Sequence, residues 1–264
     1  VPFTKIREWF EQGEYRPYGH EGLVEVLVYA MCHVQPWIRL NRVIRDIPCE
    51  YILGGTRCTN LRQVVENKMR KDNLKCACIR CREVKDNAGA LKLAQHAELV
   101  KRPYISSGGL EYFLSFEDGS REILYGFLRL RLSTNAGEEC FPELRGAALI
   151  RELHVYGRLV RSEEKSSTKV QHIGMGKKLL QEAEKISREH GFRRIAVISG
   201  VGVRTYYHDR GYISLSQEGQ FQLKQLRDSS VQQLSNTFNL SHQTVRIVVS
   251  IVLFAVVKLL VRYS

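Results

Sequence analysis

The period of the apolar positions changes several times along the chain. Over Gly22–Cys32 (GLVEVLVYAMC) and Leu61–Lys71 (LRQVVENKMRK) they recur every three to four residues, which predicts two helices. Thr59 and Asn60 stand before the second as candidate N-caps. Between the two, Ile38, Leu40, Val43 and Ile44 alternate imperfectly within Trp37–Ile47, which reads as the end of a barrel or sheet. Leu91–Lys101 reads as a further helix. The period then falls to two. Leu110–Phe116 and Glu122–Leu132 read as an antiparallel strand pair around Asp118-Gly119, and Leu149–Val160 as another strand. A polar loop, Arg161–Lys169, leads into Val170–Gly176. Met175–His190 carries Met175, Leu179, Leu180, Ala183 and Ile186 at helical spacing, with Gly191 where a C-cap belongs. Arg194–Ser199 reads as a short buried strand and Val203–Arg210 as a short helix ended by Gly211. Strand, loop, helix, strand, helix is an α/β order.

At 264 residues the chain can hold one large domain or two ordinary ones. Its net charge of +12 draws a polyanion: nucleic acid, anionic lipid or a phosphate-rich cofactor. Seven cysteines are an odd number, and three of them crowd into Cys76, Cys78 and Cys81. That pattern fits metal binding in a reducing compartment and argues against a disulfide framework. No signal-peptide pattern opens the chain, and a first residue of Val reads as a fragment or a truncated product. Near the other end, Asn236–Gln243 reads as a linker. Ile247–Val261 is apolar between Arg246 and Arg262, interrupted by Lys258, and shorter than the ~20 residues a spanning helix prefers. It reads as a short tail anchor; a buried terminal helix or read-through sequence would also have this composition.

The sharpest chemical signal is Gln171-His172-Ile173-Gly174-Met175-Gly176, after a strand and at the mouth of a long helix. Glycines there let main chain approach a phosphate, and the first-turn N–H groups with the helix dipole hold an anion. A dinucleotide fingerprint needs a further glycine and a differently placed acidic residue. A plain tight turn is the other reading. Cys76-x-Cys78-x-x-Cys81 supplies three thiolates for a tetrahedral zinc site, with Cys58 or His96 as fourth ligand. Free cysteines, or less readily an iron–sulfur cluster, also fit. Glu152 and His154 share a strand face if alternation is strict, and either can act as a general base, form a salt bridge or contact RNA. Lys68, Arg70 and Lys71, with Lys101 and Arg102, form either a phosphate-binding surface or a solvated face.

Gln171–Gly176 resembles the Q/R-x-x-G-x-G/A pyrophosphate loop of the GNAT acetyltransferase superfamily. Several further stretches are similar to the family of Elongator catalytic subunits. They are Arg151–Gly157, Ile195–Gly202, Tyr206-Tyr207, Arg45–Pro48, Asn60–Arg62, Arg82–Val84, Gly108-Gly109 and Leu128–Arg131, and they lie between residue 1 and about 224. Members of that family join a radical S-adenosylmethionine domain to an acetyltransferase domain. They are implicated in attaching a carboxymethyl-type group to the wobble uridine of tRNA, using acetyl-CoA.

The resemblance implies an α/β chain with a GNAT fold, a mixed central sheet flanked by helices. Before it would come the C-terminal end of a radical S-adenosylmethionine barrel and a small cysteine-rich zinc linker. The implied boundaries are 1–72 for the radical-domain remnant, 73–90 for the zinc linker and 91–224 for the acetyl-CoA-binding domain. A linker at 225–244 and a membrane anchor at 245–264 complete the reading. It implies that acetyl-CoA lies on Leu153, His154, Val155, Gln171, His172, Ile173, Gly174, Met175, Gly176 and Tyr206. Tyr206 or Tyr207 would protonate the departing thiolate, and Glu152 would be a candidate base. Many relatives hold zinc with a Cys-x-Cys-x-x-Cys run between the domains. The [4Fe-4S] cluster and S-adenosylmethionine would belong to a preceding part, so the radical step is not expected from this chain alone. tRNA and Elongator-like subunits are the implied partners. The expected location is the cytoplasm, with the tail in the mitochondrial outer membrane or endoplasmic reticulum. The alternatives are a histone or lysine N-acetyltransferase, and a non-catalytic membrane-tethered partner-binding remnant.

Overall fold

The computed structural model describes residues 3–41, 43, 48–85, 88–135, 140–156, 174–214 and 220–226. The helices are α1 (Lys5–Glu11), α2 (His20–His33), α3 (Leu61–Lys71), α4 (Ile79–Arg82), α5 (Ala88–Lys92), α6 (Met175–Glu189) and α7 (Arg204–His208). The strands are β1 (Glu98–Ser106), β2 (Gly109–Glu117), β3 (Leu124–Leu132), β4 (Ala147–Val155), β5 (Arg194–Ile198), β6 (Ile213–Ser214) and β7 (Phe221–Gln225). Their order is β1-β2-β3-β4-β5-β7-β6 in one seven-stranded sheet. The chain divides into two compact units. The first is Val1–Pro103, Phe113–Leu128 and Leu153–Leu179, and the second Tyr104–Tyr112, Arg129–Glu152 and Leu180–Ser264.

In the first unit α2 and α3 bury one face each: Val24, Val28 and Met31 from α2, and Leu61, Val65 and Met69 from α3. Both helices fall where the three-to-four spacing predicts them. Asn60 precedes α3 without a side-chain capping bond, and its Oδ1 instead accepts from the Cys58 thiol at 3.1 Å. The stretch 34–40 forms no strand, contrary to the alternation of Ile38 and Leu40. Its carbonyls are used as acceptors: Pro36 O by Arg82, Ile38 O by the Ile79 N–H and Leu40 O by Arg62.

Arg82, only 6% exposed, ties this region together. Its guanidinium donates to Ala77 O at 2.8 Å and to Pro36 O at 2.8 Å, and pairs with Glu117 at 2.9 Å. Glu117 is fully buried on β2 and also receives two bonds from Arg102 and one from Ser115. The expected helix over Leu91–Lys101 is replaced by the end of α5, one turn of 3-10 helix over Leu93–His96, and β1. Arg102 and Tyr104 stand two apart on β1, each donating to a buried glutamate, Glu117 and Glu111 respectively. Those bonds favour a strand over a solvated helix.

In the second unit Ser107 and Gly108, at φ 45 and 70, form the left-handed two-residue connection between β1 and β2. β4 runs parallel to β5 from Ala147↔Arg194 to Ile150↔Val197, and β5 pairs antiparallel with β7. A parallel pair needs a crossover, which α6 supplies. Leu180, Ala183 and Ile186 of α6 are buried, as the sequence spacing predicts. On the same helix Glu184 accepts from Lys224 at 2.8 and 2.9 Å and from the buried Tyr212 hydroxyl at 3.1 Å.

Burial alone would raise the Glu117 pKa, but the bonds from Arg102 and the charge of Arg82 outweigh it and lower it. A lowered carboxylate pKa adds stability that is full above the unfolded value, near 4.3, and fades as pH falls through the folded one. The urea midpoint should therefore drop between about pH 5 and pH 3, less steeply in Glu117→Gln. At neutral pH Arg82→Met should cost about 3–5 kcal/mol, because it removes one cation from a buried carboxylate. Equal midpoints for Arg82→Met and the unaltered chain would rule this out.

Candidate functional site

The first bond of α6 runs from the Lys178 N–H to Gly174 O at 3.0 Å. The N–H groups of Met175, Gly176 and Lys177 precede it and have no acceptor within the helix. The first turn holds no acidic residue and carries Lys177 and Lys178 instead. Cations there oppose the helix dipole, so an anion at the mouth relieves the conflict. Gly174 has φ +71, and a Cβ built on it meets nothing within 4 Å. Its requirement for glycine is therefore conformational and not steric. Met175 is buried beneath this turn. Gln171, His172 and Ile173 lie outside the described residues.

The end of β4 carries Leu153, His154 and Val155. Gly126 of β3 allows close main-chain approach there, since a Cβ on it would lie 3.0 Å from His154 O and 3.2 Å from Val155 Cα. Nothing in the local pattern marked Gly126, because a strand glycine shows its purpose only through the neighbouring strand. The Tyr156 N–H then bonds Tyr125 O at 2.8 Å. The exposed His154 ring stacks near Phe127, centroids 6.1 Å apart, and Tyr156, 4.5 Å apart. Strict alternation fails at this end of β4: Arg151 and His154 are exposed, while Glu152, Leu153 and Val155 are intermediate. Of the readings open for Glu152, a salt bridge is present. Its Oε2 accepts from Arg129 Nε at 2.9 Å.

The two tyrosines of α7 differ in surroundings. Tyr207 is 6% exposed and packs edge-on against Tyr206 and Tyr212. Burial, with the neighbouring Tyr206, pushes its phenol up to about 12. Tyr206 is half-buried beneath the Arg210 guanidinium, 3.6 Å from its ring centroid. Burial raises its phenol too, against the opposing charge of Arg210. Both phenols therefore keep their protons at neutral pH, and Tyr206 is the more accessible.

The three sulfurs of Cys76, Cys78 and Cys81 lie within 4.8 Å of one another. Zinc with sulfur at about 2.3 Å in a tetrahedron needs sulfurs about 3.8 Å apart, so the trio fits one face of such a site. Hydrogen bonds from the neighbouring Cys76 and Cys81 thiols lower the Cys78 pKa against the effect of its burial. Among the described residues no fourth His, Cys, Asp or Glu joins the group. Cys58 donates instead to Asn60, and His96 contacts Gln95. Arg62, unmarked in the sequence as a site residue, donates to Cys81 Sγ at 3.4 Å. Of the basic residues read as an RNA surface, Arg102 is committed to the buried Glu117, and Lys68 pairs with Asp72 at 3.4 Å.

The Radical_SAM C-terminal domain model matches residues 1–71. Elongator complex protein 3 of Homo sapiens is 41% identical over 228 residues, which is 85% of this chain and 41% of that protein. The tRNA uridine(34) acetyltransferase of Methanocaldococcus infernus is 41% identical over 216 residues, 79% of this chain and 40% of the relative. A solved structure of Methanocaldococcus infernus Elp3 lacking residues 1–46 matches with TM-score 0.70 and 38% identity. It covers 86% of this chain and 53% of that one. The chain thus spans roughly two fifths of the length of these curated relatives. Over most of its residues, in sequence and in its mixed α/β architecture, it is a homologue of Elongator complex protein 3 and the tRNA uridine(34) acetyltransferases.

Proposed function

We propose that this chain is the acetyl-CoA-binding, acyltransferase part of an enzyme that modifies the wobble uridine of tRNA. The mouth of α6 carries the reading: three N–H groups without an acceptor in the helix, a glycine at φ +71 and two lysines where the dipole disfavours cations. A diphosphate suits that combination. The names of the relatives support the substrate. In this reading residues 91–224 form the GNAT-type domain, 1–72 the end of a radical S-adenosylmethionine domain and 73–90 a linker holding zinc on Cys76, Cys78 and Cys81. Elongator-like subunits are the proposed partners, and no residue of this chain is given a part in holding the [4Fe-4S] cluster or S-adenosylmethionine.

Acetyl-CoA supplies an activated acetyl group. Met175, Gly176 and Lys177 N–H bind its diphosphate, and Leu153–Val155 line its path. Tyr206 gives a proton to the sulfur as the thioester breaks, for which a phenol protonated at neutral pH is suited. Tyr207 packs behind it. Glu152 is less suited to deprotonating an amine while its oxygen is held by Arg129, which favours the tRNA reading over a lysine acetyltransferase. The apolar stretch 245–264 is proposed as a tail anchor holding the enzyme on a cytosol-facing membrane.

On titration with acetyl-CoA, Gly174→Arg should weaken binding by at least about tenfold in calorimetry, or ~1.4 kcal/mol. Unchanged heats would remove the proposed diphosphate seat. Hydrolysis of acetyl-CoA should be stimulated by tRNA and not by a histone peptide, and Tyr206→Phe should slow it about 100-fold while Tyr207→Phe slows it less. Peptide acetylation that disappears in Glu152→Gln would favour the lysine acetyltransferase instead. Deleting 245–264 should release the protein from alkali-washed membranes; retention would argue against the anchor.

A further inference from the structure

We propose that Arg62 is the outer-sphere partner of the Cys76–Cys78–Cys81 metal site, holding the Cys81 sulfur and offsetting the charge of the three thiolates. This rests on the reading of the trio as a zinc site. Three thiolates around a divalent cation leave a net negative charge, which a partly buried site tolerates poorly without a nearby cation. Arg62 is placed for that part. Its three nitrogens each have a different acceptor: Nε donates to Glu66 Oε1 at 2.7 Å, Nη1 to Leu40 O at 3.2 Å and Nη2 to Cys81 Sγ at 3.4 Å. Its side chain is 19% exposed.

With every edge of the fork engaged, the guanidinium cannot turn away from the sulfur without breaking two other bonds. Leu40, in the loop after α2, thus fixes one arm of the guanidinium through its carbonyl. Arg62 stands on α3, whose buried face packs with Cys76 and Cys81, so the core of the helix pair also sets the distance from guanidinium to sulfur. A cavity of about 250 Å³ bounded by Glu66, Arg70 and Lys75 reaches Cys76 and Cys81, which gives a chelator access to the metal. A lysine at position 62 would keep the charge and lose the fork, and a glutamine would lose both.

The test uses the full chain and measures zinc affinity by competition with a chromophoric chelator, with cobalt(II) replacing zinc for a spectrum. Arg62→Gln should lower zinc affinity about 10–100-fold, the range for loss of an outer-shell partner. It should also move the sulfur-to-cobalt charge-transfer band to longer wavelength, because a thiolate without its donor gives up electron density more readily. Arg62→Lys should fall between, and Arg7→Gln, whose guanidinium bonds Glu11, should match the unaltered chain. Should Arg62→Gln lose its helical circular dichroism, the Arg62→Lys comparison carries the same decision. Equal affinity and an unmoved band in a folded Arg62 variant would overturn the assignment while leaving the zinc site standing. If the unaltered chain binds neither metal, the zinc reading falls and this inference with it.

Discussion

A buried carboxylate answered by guanidinium groups from other elements is the constraint on which the first unit depends. Glu117 stands fully buried on β2, where an unpaired charge would be prohibitive. Arg82 and Arg102 compensate it from α4 and β1. Arg82 also spans Pro36 O and Ala77 O, so the cation that neutralises the strand fixes the cysteine segment and the loop after α2. The three thiols are brought within reach of one metal because their segment is tied to the sheet at Arg82 and packed on the helix pair α2–α3.

The second unit repeats the device. Glu111, fully buried, receives the Tyr104 hydroxyl at 2.7 Å, Arg131 at 3.0 Å and Arg151 at 2.5 Å. Arg131 extends to Ser106 O and Ser107 O and so closes the hairpin between β1 and β2. Glu184 on α6 is likewise held by Lys224 and Tyr212, which joins the crossover helix to the far side of its sheet. Such pairs add little net stability over apolar packing, but they admit only one register of the elements they connect. The crossover helix α6 is one of the elements held in this way.

What was legible in the residues divides along the range of the forces involved. Periodicity set α2, α3 and α6, because each presents a continuous apolar face to a core and the pattern is local. Gly191 and Gly211 were read as helix ends, and both have the positive φ that such ends favour. The mouth of α6 was legible as a glycine turn and a helix start, because these and the first-turn amides are consecutive in the chain. The cysteine trio was legible too, since all three sulfurs come from six consecutive residues.

Tertiary structure decided the rest, wherever a residue's state is set by a partner far along the chain. Residues 97–101 resembled helix until Arg102 and Tyr104 found their glutamates on β2, and Ile38 and Leu40 resembled strand until their carbonyls were claimed by Ile79 and Arg62. Two adjacent tyrosines are equivalent on paper; Tyr212 and Arg210 make one a core ring and leave the other within reach of solvent. Glu152 cannot be told from a free base until Arg129, 23 residues earlier, is seen to hold it. Backbone conformation and apolar faces act over a few residues and can be read from them, whereas charge compensation acts across space and is visible only once the chain has folded.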